Sequence, residues 1–228
     1  VDDLHKALLR VGFAAGPELG LVLAGGYALA AHQIVDRPSR DIDFATATAL
    51  PLPLVAERLA EAYRKAGHTA DLVEATPRMA RLLVSDDFWT CEVDLLKEAI
   101  GPPVQLSIGP VLAFDDAVGL KVRALYDRAA HRDFIDVHAA HARYGWRELE
   151  QLAARHTAGF ALEDLADRLG AAEELDERGF AAYGLTGADI TTLCRWAVEW
   201  ESDIRARLAA GEAGPVGPSD DDWDAYLD

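Results

Sequence analysis

Among its 228 residues the chain has only two cysteines, one methionine and four lysines. Cys91 and Cys194 lie far apart with no CxxC spacing, which excludes a disulfide scaffold and a cysteine zinc site. No apolar run approaches the ~20 residues that cross a bilayer. The opening VDDLHKALLR lacks the positive start and apolar core of a signal peptide, so the expected address is the cytosol, with no membrane partner. Neither GxSxG nor a Walker A sequence occurs, which removes the hydrolase elbow and the P-loop. Positive charge is scarce as well. Lys and Arg number 22 against 39 Asp and Glu, a net charge of −17. That deficit argues against broad nonspecific nucleic-acid binding, and no DNA partner is expected; a local basic patch stays open. A third of the excess lies in residues 211–228, which carry six acids and no base.

What is present is ordinary for a folded chain with a sizeable core: 50% hydrophobic and 27% charged residues. Residues 2–15 read as an amphipathic helix stopped by Gly16-Pro17. Residues 19–26 (LGLVLAGG) fit a buried strand entering a tight turn, and 27–35 a helix leaving it. In 41–47 (DIDFATA) Ile42 and Phe44 alternate with Asp41 and Asp43, as on a strand with its carboxylates on one face. A proline-led helix follows over 50–68. Residues 69–75, 79–85 and 88–96 fit strands; on the last, Cys91, Val93 and Leu95 share one face and Glu92 and Asp94 the other. The Gly/Pro-rich stretch 101–110 reads as a domain boundary. Beyond it the pattern is helical over 115–130, 132–144, 146–156, 161–169, 177–183 and 187–210. Thr186 opens the last of these and Asp189 supports its positive end. The expected layout is an α/β domain over 1–110, a helical domain over 111–210 and a flexible acidic tail over 211–228.

Residues 24–44 (AGGYALAAHQIVDRPSRDIDF) carry the most specific signal. Glycines let backbone N–H groups approach a phosphate. Two carboxylates at i and i+2 of a strand repel one another unless a cation joins them. Mg²⁺ takes one or two carboxylates together with substrate phosphates, and two metals can serve both attacking and leaving oxygens. A lone GG is usually a turn and a lone DxD usually a solvated strand face. Their order here, strand, GG, helix, DxD strand, makes a stronger signal.

The pattern GGxAL followed by RxSxDID resembles the minimal nucleotidyltransferases of the DNA polymerase beta superfamily, and most closely the AbiE-type (AbiEii/MenT-like) toxins. Gly25, Gly26, Tyr27, Ala28 and Leu29 carry the first part; Arg37, Ser39, Asp41 and Asp43 carry the second. Many superfamily members have GS where Gly26 stands, so one phosphate contact must come from elsewhere. A second block, Lys121-Val122-Arg123-Ala124-Leu125 and then Arg132-Asp133-Phe134-Ile135-Asp136-Val137, resembles the family's helix with an essential lysine and its K/R-D-x-x-D element.

The resemblance implies an α+β fold: a polymerase-beta-like mixed sheet with helices, followed by a helical half contributing to the active cleft. It implies nucleotide transfer from an NTP with loss of pyrophosphate, and Mg²⁺ or Mn²⁺ on Asp41 and Asp43. A third metal carboxylate is implied at Asp94, with Glu92 on the same face as the fallback. Gly25, Gly26, Arg37, Ser39, Lys121 and Arg132 are implied to hold the nucleotide. Asp136, or Asp133, orients Lys121 or positions the acceptor hydroxyl; read from the residues alone, both fit a surface ion-pair network with Arg128 and Arg132. In toxin members the acceptor is the 3′ end of tRNA, a cognate antitoxin is the partner, and a hydroxyl at the Ser39 position is phosphorylated in some of them. Arg78, Arg81, Arg123, Arg128, Arg132, Arg143 and Arg147 are the candidate RNA contacts. Two other readings stand beside this one: transfer to a small polycation or a protein, and a binding module that kept the fold. His131, His138 and His141 show no HExxH and read as ordinary histidines. Trp196 and Trp200, at i and i+4, read as core.

Overall fold

The computed structural model describes residues 3–37, 39–219 and 222. The chain separates into two compact units, dividing between Ala117 and Val118.

In the first unit, the helix α1 (Asp3–Ala14) buries Leu4, Leu8 and Leu9. A 3₁₀ turn at Pro17–Leu19 leads into β1 (Val22–Leu23). The helix α2 (Gly25–Ala31) precedes β2 (Ile42–Thr46). α3 (Leu52–Lys65) buries Leu52, Val55, Ala56, Leu59, Ala60 and Tyr63, the i, i+3, i+4, i+7 stripe of a core-facing helix. Pro53 sits in its first turn, where a missing N–H costs nothing, and Arg64 and Lys65 sit at its negative end. Then come β3 (Thr69–Ala75), β4 (Met79–Ser85), β5 (Thr90–Lys97), β6 (Val104–Leu106) and β7 (Gly109–Val111).

The strands form one mixed sheet in the order β3-β4-β5-β2-β1-β7-β6. β2 and β5 run parallel, as do β1 and β7; the other pairs are antiparallel. Alternation decides what each face holds. Ile42, Phe44, Cys91, Val93, Leu95, Ala80, Leu82 and Val84 are buried, and α3 packs on β3, β4 and β5. Phe13 of α1 meets Phe44 edge-on. Asp43, Arg81, Glu92 and Asp94 of β2, β4 and β5 therefore lie on the opposite face, while Thr46 and Lys97 are polar residues buried on the core side. The β4–β5 turn is set by Asp86, whose Oδ1 accepts the N–H groups of Phe88 and Trp89 at 2.8 Å each. Those bonds hold its carboxyl below the usual carboxylate range.

Three local expectations are corrected. The stretch 101–110, read as a domain boundary, lies within the first unit: β6 and β7 pair there as a hairpin, and β7 joins β1. The double glycine does not precede α2 but forms its first turn. The segment 19–26 gives only a two-residue strand, because Leu19 is taken into the 3₁₀ turn.

The second unit holds the remainder of α4 (Phe114–Arg128), α5 (His131–Ala140), α6 (Trp146–Arg155), α7 (Leu162–Gly170), α8 (Glu177–Ala181) and α9 (Gly187–Ala209). Thr186 and Asp189 cap α9 reciprocally: Asp189 Oδ2 accepts Thr186 N–H at 2.9 Å and Thr186 Oγ1 accepts Asp189 N–H at 3.3 Å. Trp196 and Trp200 are core residues. Trp200 Nε1 donates to Glu150 at 2.9 Å, and Arg207 holds the same buried carboxylate. The described part of the acidic tail makes contacts with the helical unit. Glu212 pairs with Arg147, with one bond at 3.0 Å. Residues 212–219 run past Phe160 and Leu162, lining a cavity of about 510 Å³ with them. The rest of that tail, apart from Asp222, lies outside the described residues.

Candidate active site

The GG turn and the DxD strand are built against each other. Ala24 N–H donates to the Asp43 carbonyl at 2.8 Å, tying the entry of α2 to β2. Gly25 has φ +59°, in the left-handed region. A β-carbon there would stand 1.8 Å from Asp43 Oδ2, so the Asp43 carboxylate lies directly on the Gly25 backbone. A β-carbon on Gly26 would meet Ser39 Oγ at 2.8 Å, with Arg37 Nη2 at 3.5 Å. Ser39 Oγ donates to Asp41 Oδ1 at 3.0 Å. Gly25, Gly26, Arg37, Ser39, Asp41 and Asp43 thus come together at one end of β1 and β2. Pro38 lies outside the described residues. Next to this turn, Tyr27 is locked from α1: its hydroxyl hydrogen-bonds buried His5 Nδ1, and the two rings meet edge-on. Nothing in the sequence pointed to His5, because the contact spans 22 residues.

Gly25→Ala should therefore be severe. It strains the backbone by about 1–2 kcal/mol and displaces the Asp43 carboxylate. Activity is expected to fall nearly as far as in a variant lacking that carboxylate, with a lowered melting temperature; transfer kinetics and a thermal melt check both.

Asp94 is aligned with this site by strand register. β2 and β5 pair Asp43 with Asp94, and β4 and β5 pair Arg81 with Asp94. Arg81 grips Asp94 with its planar fork: Nε to Oδ1 and Nη2 to Oδ2, both 2.7 Å. Its Nη1 lies 3.5 Å from Glu92 Oε2. Among the described residues, no three His, Cys, Asp or Glu side chains form a group that could hold a metal ion.

In the second unit, Lys121 Nζ lies 2.9 Å from Asp136 Oδ2, with the Asp136 side chain fully buried. Asp133 does a different job. Arg128 holds both its oxygens at 2.8 and 2.9 Å, and it accepts Ala130 N–H at 3.2 Å, closing the start of α5. Arg132 lies in the first turn of α5, half-buried. The structure thus separates the two acids: Asp136 meets the lysine and Asp133 fastens the helix.

A cavity of about 360 Å³ lies at the opposite end of β1 and β2, lined by Phe13, Leu21, Thr48, Ile100, Pro103 and Pro110 among others. None of the residues lining it is titratable.

Comparison with known families decides the assignment. Residues 7–227 match the family described as "Nucleotidyl transferase AbiEii toxin, Type IV TA system". The chain belongs to the AbiEii family. It is a nucleotidyltransferase toxin of a type IV toxin–antitoxin system. No curated protein matches it. Solved structures similar to it include JHP933 from Helicobacter pylori, 17% identical, with a TM-score of 0.54 over 91% of this chain and 93% of that one. A second, titled a nucleotidyltransferase of H. pylori, is also 17% identical, with a TM-score of 0.55 over 93% and 99%. MenT4, titled a nucleotidyltransferase toxin of Mycobacterium tuberculosis, is 19% identical, with a TM-score of 0.55 over 88% and 82%. These likenesses bear out the expected α+β fold with its mixed sheet and helices.

An AbiEii nucleotidyltransferase uses an NTP and a divalent metal. The residues fit such an ion: Asp41 and Asp43 offer only oxygen donors, and a hard cation such as Mg²⁺ takes one or two carboxylates plus phosphate oxygens. The AbiEii assignment also implies an antitoxin partner. No described helix is long and apolar enough to cross a membrane. Several of the arginines considered for RNA have partners within the protein. Arg81 holds Asp94, Arg128 holds Asp133, Arg147 holds Glu212, and Arg123 donates to the His156 carbonyl at 3.1 Å.

Proposed function

We propose that this AbiEii toxin transfers a nucleotide from an NTP to the 3′ end of tRNA, with Asp41 and Asp43 binding Mg²⁺ or Mn²⁺. The observation that supports the metal assignment is the fit of the Gly25 backbone against the Asp43 carboxylate, which brings the glycine turn next to that carboxylate. Mg²⁺ supplies charge neutralisation at the triphosphate and lowers the cost of deprotonating an attacking hydroxyl. The chain's own groups do the rest. Gly25 and Gly26 offer backbone N–H groups to phosphate oxygens without a side chain in the way. Arg37 and Ser39, both beside Gly26, contact the same phosphates. Lys121 brings a compact positive charge to the triphosphate, with Arg132 as a further contact. Asp136 holds the Lys121 ammonium. The acceptor hydroxyl oxygen gives up its proton to solvent and bonds to the α-phosphorus, the bond from that phosphorus to the bridging oxygen breaks, and its electron pair leaves with pyrophosphate.

The acceptor is tested with α-labelled NTPs, Mg²⁺ and total bacterial tRNA, intact or oxidised with periodate to destroy its 3′ diol. Label on intact tRNA only is expected. Equal labelling of both would move the acceptor away from the 3′ end; label on protein or a small molecule would overturn the tRNA assignment and leave the chemistry standing.

Ser39 is also the proposed regulatory phosphorylation site. Its hydroxyl lies 3.0 Å from Asp41 Oδ1, so a phosphate there sets about two negative charges beside the metal carboxylates and obstructs the NTP. Ser39→Asp is expected to lose most activity while Ser39→Ala retains much of it. Full activity in Ser39→Asp would count against the switch.

A further inference from the structure

Across the face of the sheet turned away from α3 run three side chains in register: Asp43 on β2, Asp94 on β5 and Arg81 on β4. Adjacent strands lie about 4.8 Å apart, so each is the direct neighbour of the next. The middle carboxylate spends both oxygens on a bidentate guanidinium, at 2.7 Å each. Its side chain is only 13% exposed, so little of it faces water. The other acid of that strand face, Glu92, turns to the same arginine. These bonds to Asp94, with the negative field of Asp94, Glu92 and Glu74, hold the Arg81 guanidinium more firmly protonated than usual.

We propose that Asp94 anchors Arg81 and does not ligate metal, so that the divalent cation rests on Asp41 and Asp43 alone. This rests on Asp41 and Asp43 being the metal carboxylates. For Asp94 to bind a cation it would have to give up one of two charge-assisted bonds and accept a second positive charge beside Arg81. A neutral ion pair next to Asp43 also spares that residue the repulsion of a third carboxylate. Arg81 is therefore a positioning residue. It caps the metal site at two carboxylates.

The test is Mn²⁺ binding to the full-length protein, followed by the electron paramagnetic resonance signal of the free ion with a non-hydrolysable NTP analogue present. Circular dichroism checks each variant. Asp43→Asn is expected to weaken Mn²⁺ by about tenfold or more, as loss of a ligand should. Asp94→Asn is expected to leave affinity and stoichiometry within about twofold. Arg81→Met frees the Asp94 carboxylate and is expected to tighten Mn²⁺ or add a site, a gain that vanishes in Arg81→Met/Asp94→Asn. Weakening by Asp94→Asn comparable to Asp43→Asn would overturn the inference, as would unchanged binding in a folded Arg81→Met. Should Arg81→Met fail to fold, the Asp94→Asn result decides alone. If neither Asp41→Asn nor Asp43→Asn alters Mn²⁺ binding, the metal site itself is misplaced and the inference falls with it, a pattern distinct from failure at Asp94.

Discussion

Asparagine in place of Asp43 is expected to slow nucleotide transfer by about 10³-fold while leaving the fold intact. The side chain keeps its size and its place against Gly25, but it loses the charge that would hold a divalent cation. Metal stabilisation of a phosphoryl transition state amounts to several kcal/mol, and each 1.36 kcal/mol is a factor of ten. The effect should appear in single-turnover pyrophosphate release, and excess Mn²⁺ should restore only a small part of it. Ile42 and Phe44, which fasten β2 into the core, are untouched, so the thermal melt should shift little. A drop in rate of less than tenfold would place the metal elsewhere.

The second large effect is expected at Lys121. Its ammonium is mostly buried, 2.9 Å from a fully buried Asp136 carboxylate. Removing one partner of such a pair strands the other charge, at a cost of about 3–5 kcal/mol. Lys121→Ala is therefore expected to lose about 10²–10³-fold in transfer, the scale for losing one positioned electrostatic contact, and also to melt early. The two losses can be separated. Replacing both partners by apolar residues, Lys121→Met with Asp136→Leu, removes the charges together and should recover much of the stability. It should recover none of the activity if Lys121 binds the triphosphate. Return of activity in that double variant would reduce the pair to a fold device. Lys121→Arg should not substitute, because a planar fork does not fill the place of a compact ammonium.

Much of this was legible in the sequence wherever the signal was local and repeated. The stripe of Leu52, Val55, Leu59 and Tyr63 marks α3, and the alternation of Cys91, Val93 and Leu95 marks β5. The GG turn and the DxD strand were readable because backbone freedom and paired carboxylates are demands made at fixed spacing. The β6–β7 hairpin was not readable. Each strand is three residues long, and prolines and glycines dominate the stretch, so nothing there repeats; pairing to β1 is what makes it sheet. The fate of Asp94 was equally hidden. Sequence placed it on the right strand face beside Glu92, but only the β4 register brings Arg81 opposite to it. The division of labour between Asp133 and Asp136 has the same origin. They are equivalent on a helix face, and are told apart only by Arg128 and Lys121, which arrive from α4.

The most direct test of the account is transfer of an α-labelled nucleotide. The purified protein would be incubated with Mg²⁺, each α-labelled NTP in turn and total bacterial tRNA, beside Asp41→Ala and a reaction containing chelator. The account predicts label on tRNA with one or more of the NTPs, pyrophosphate in equal amount, and neither product in the variant or with chelator. Undiminished labelling in Asp41→Ala, or no transfer to any acceptor by folded protein that binds Mg-NTP, would contradict it.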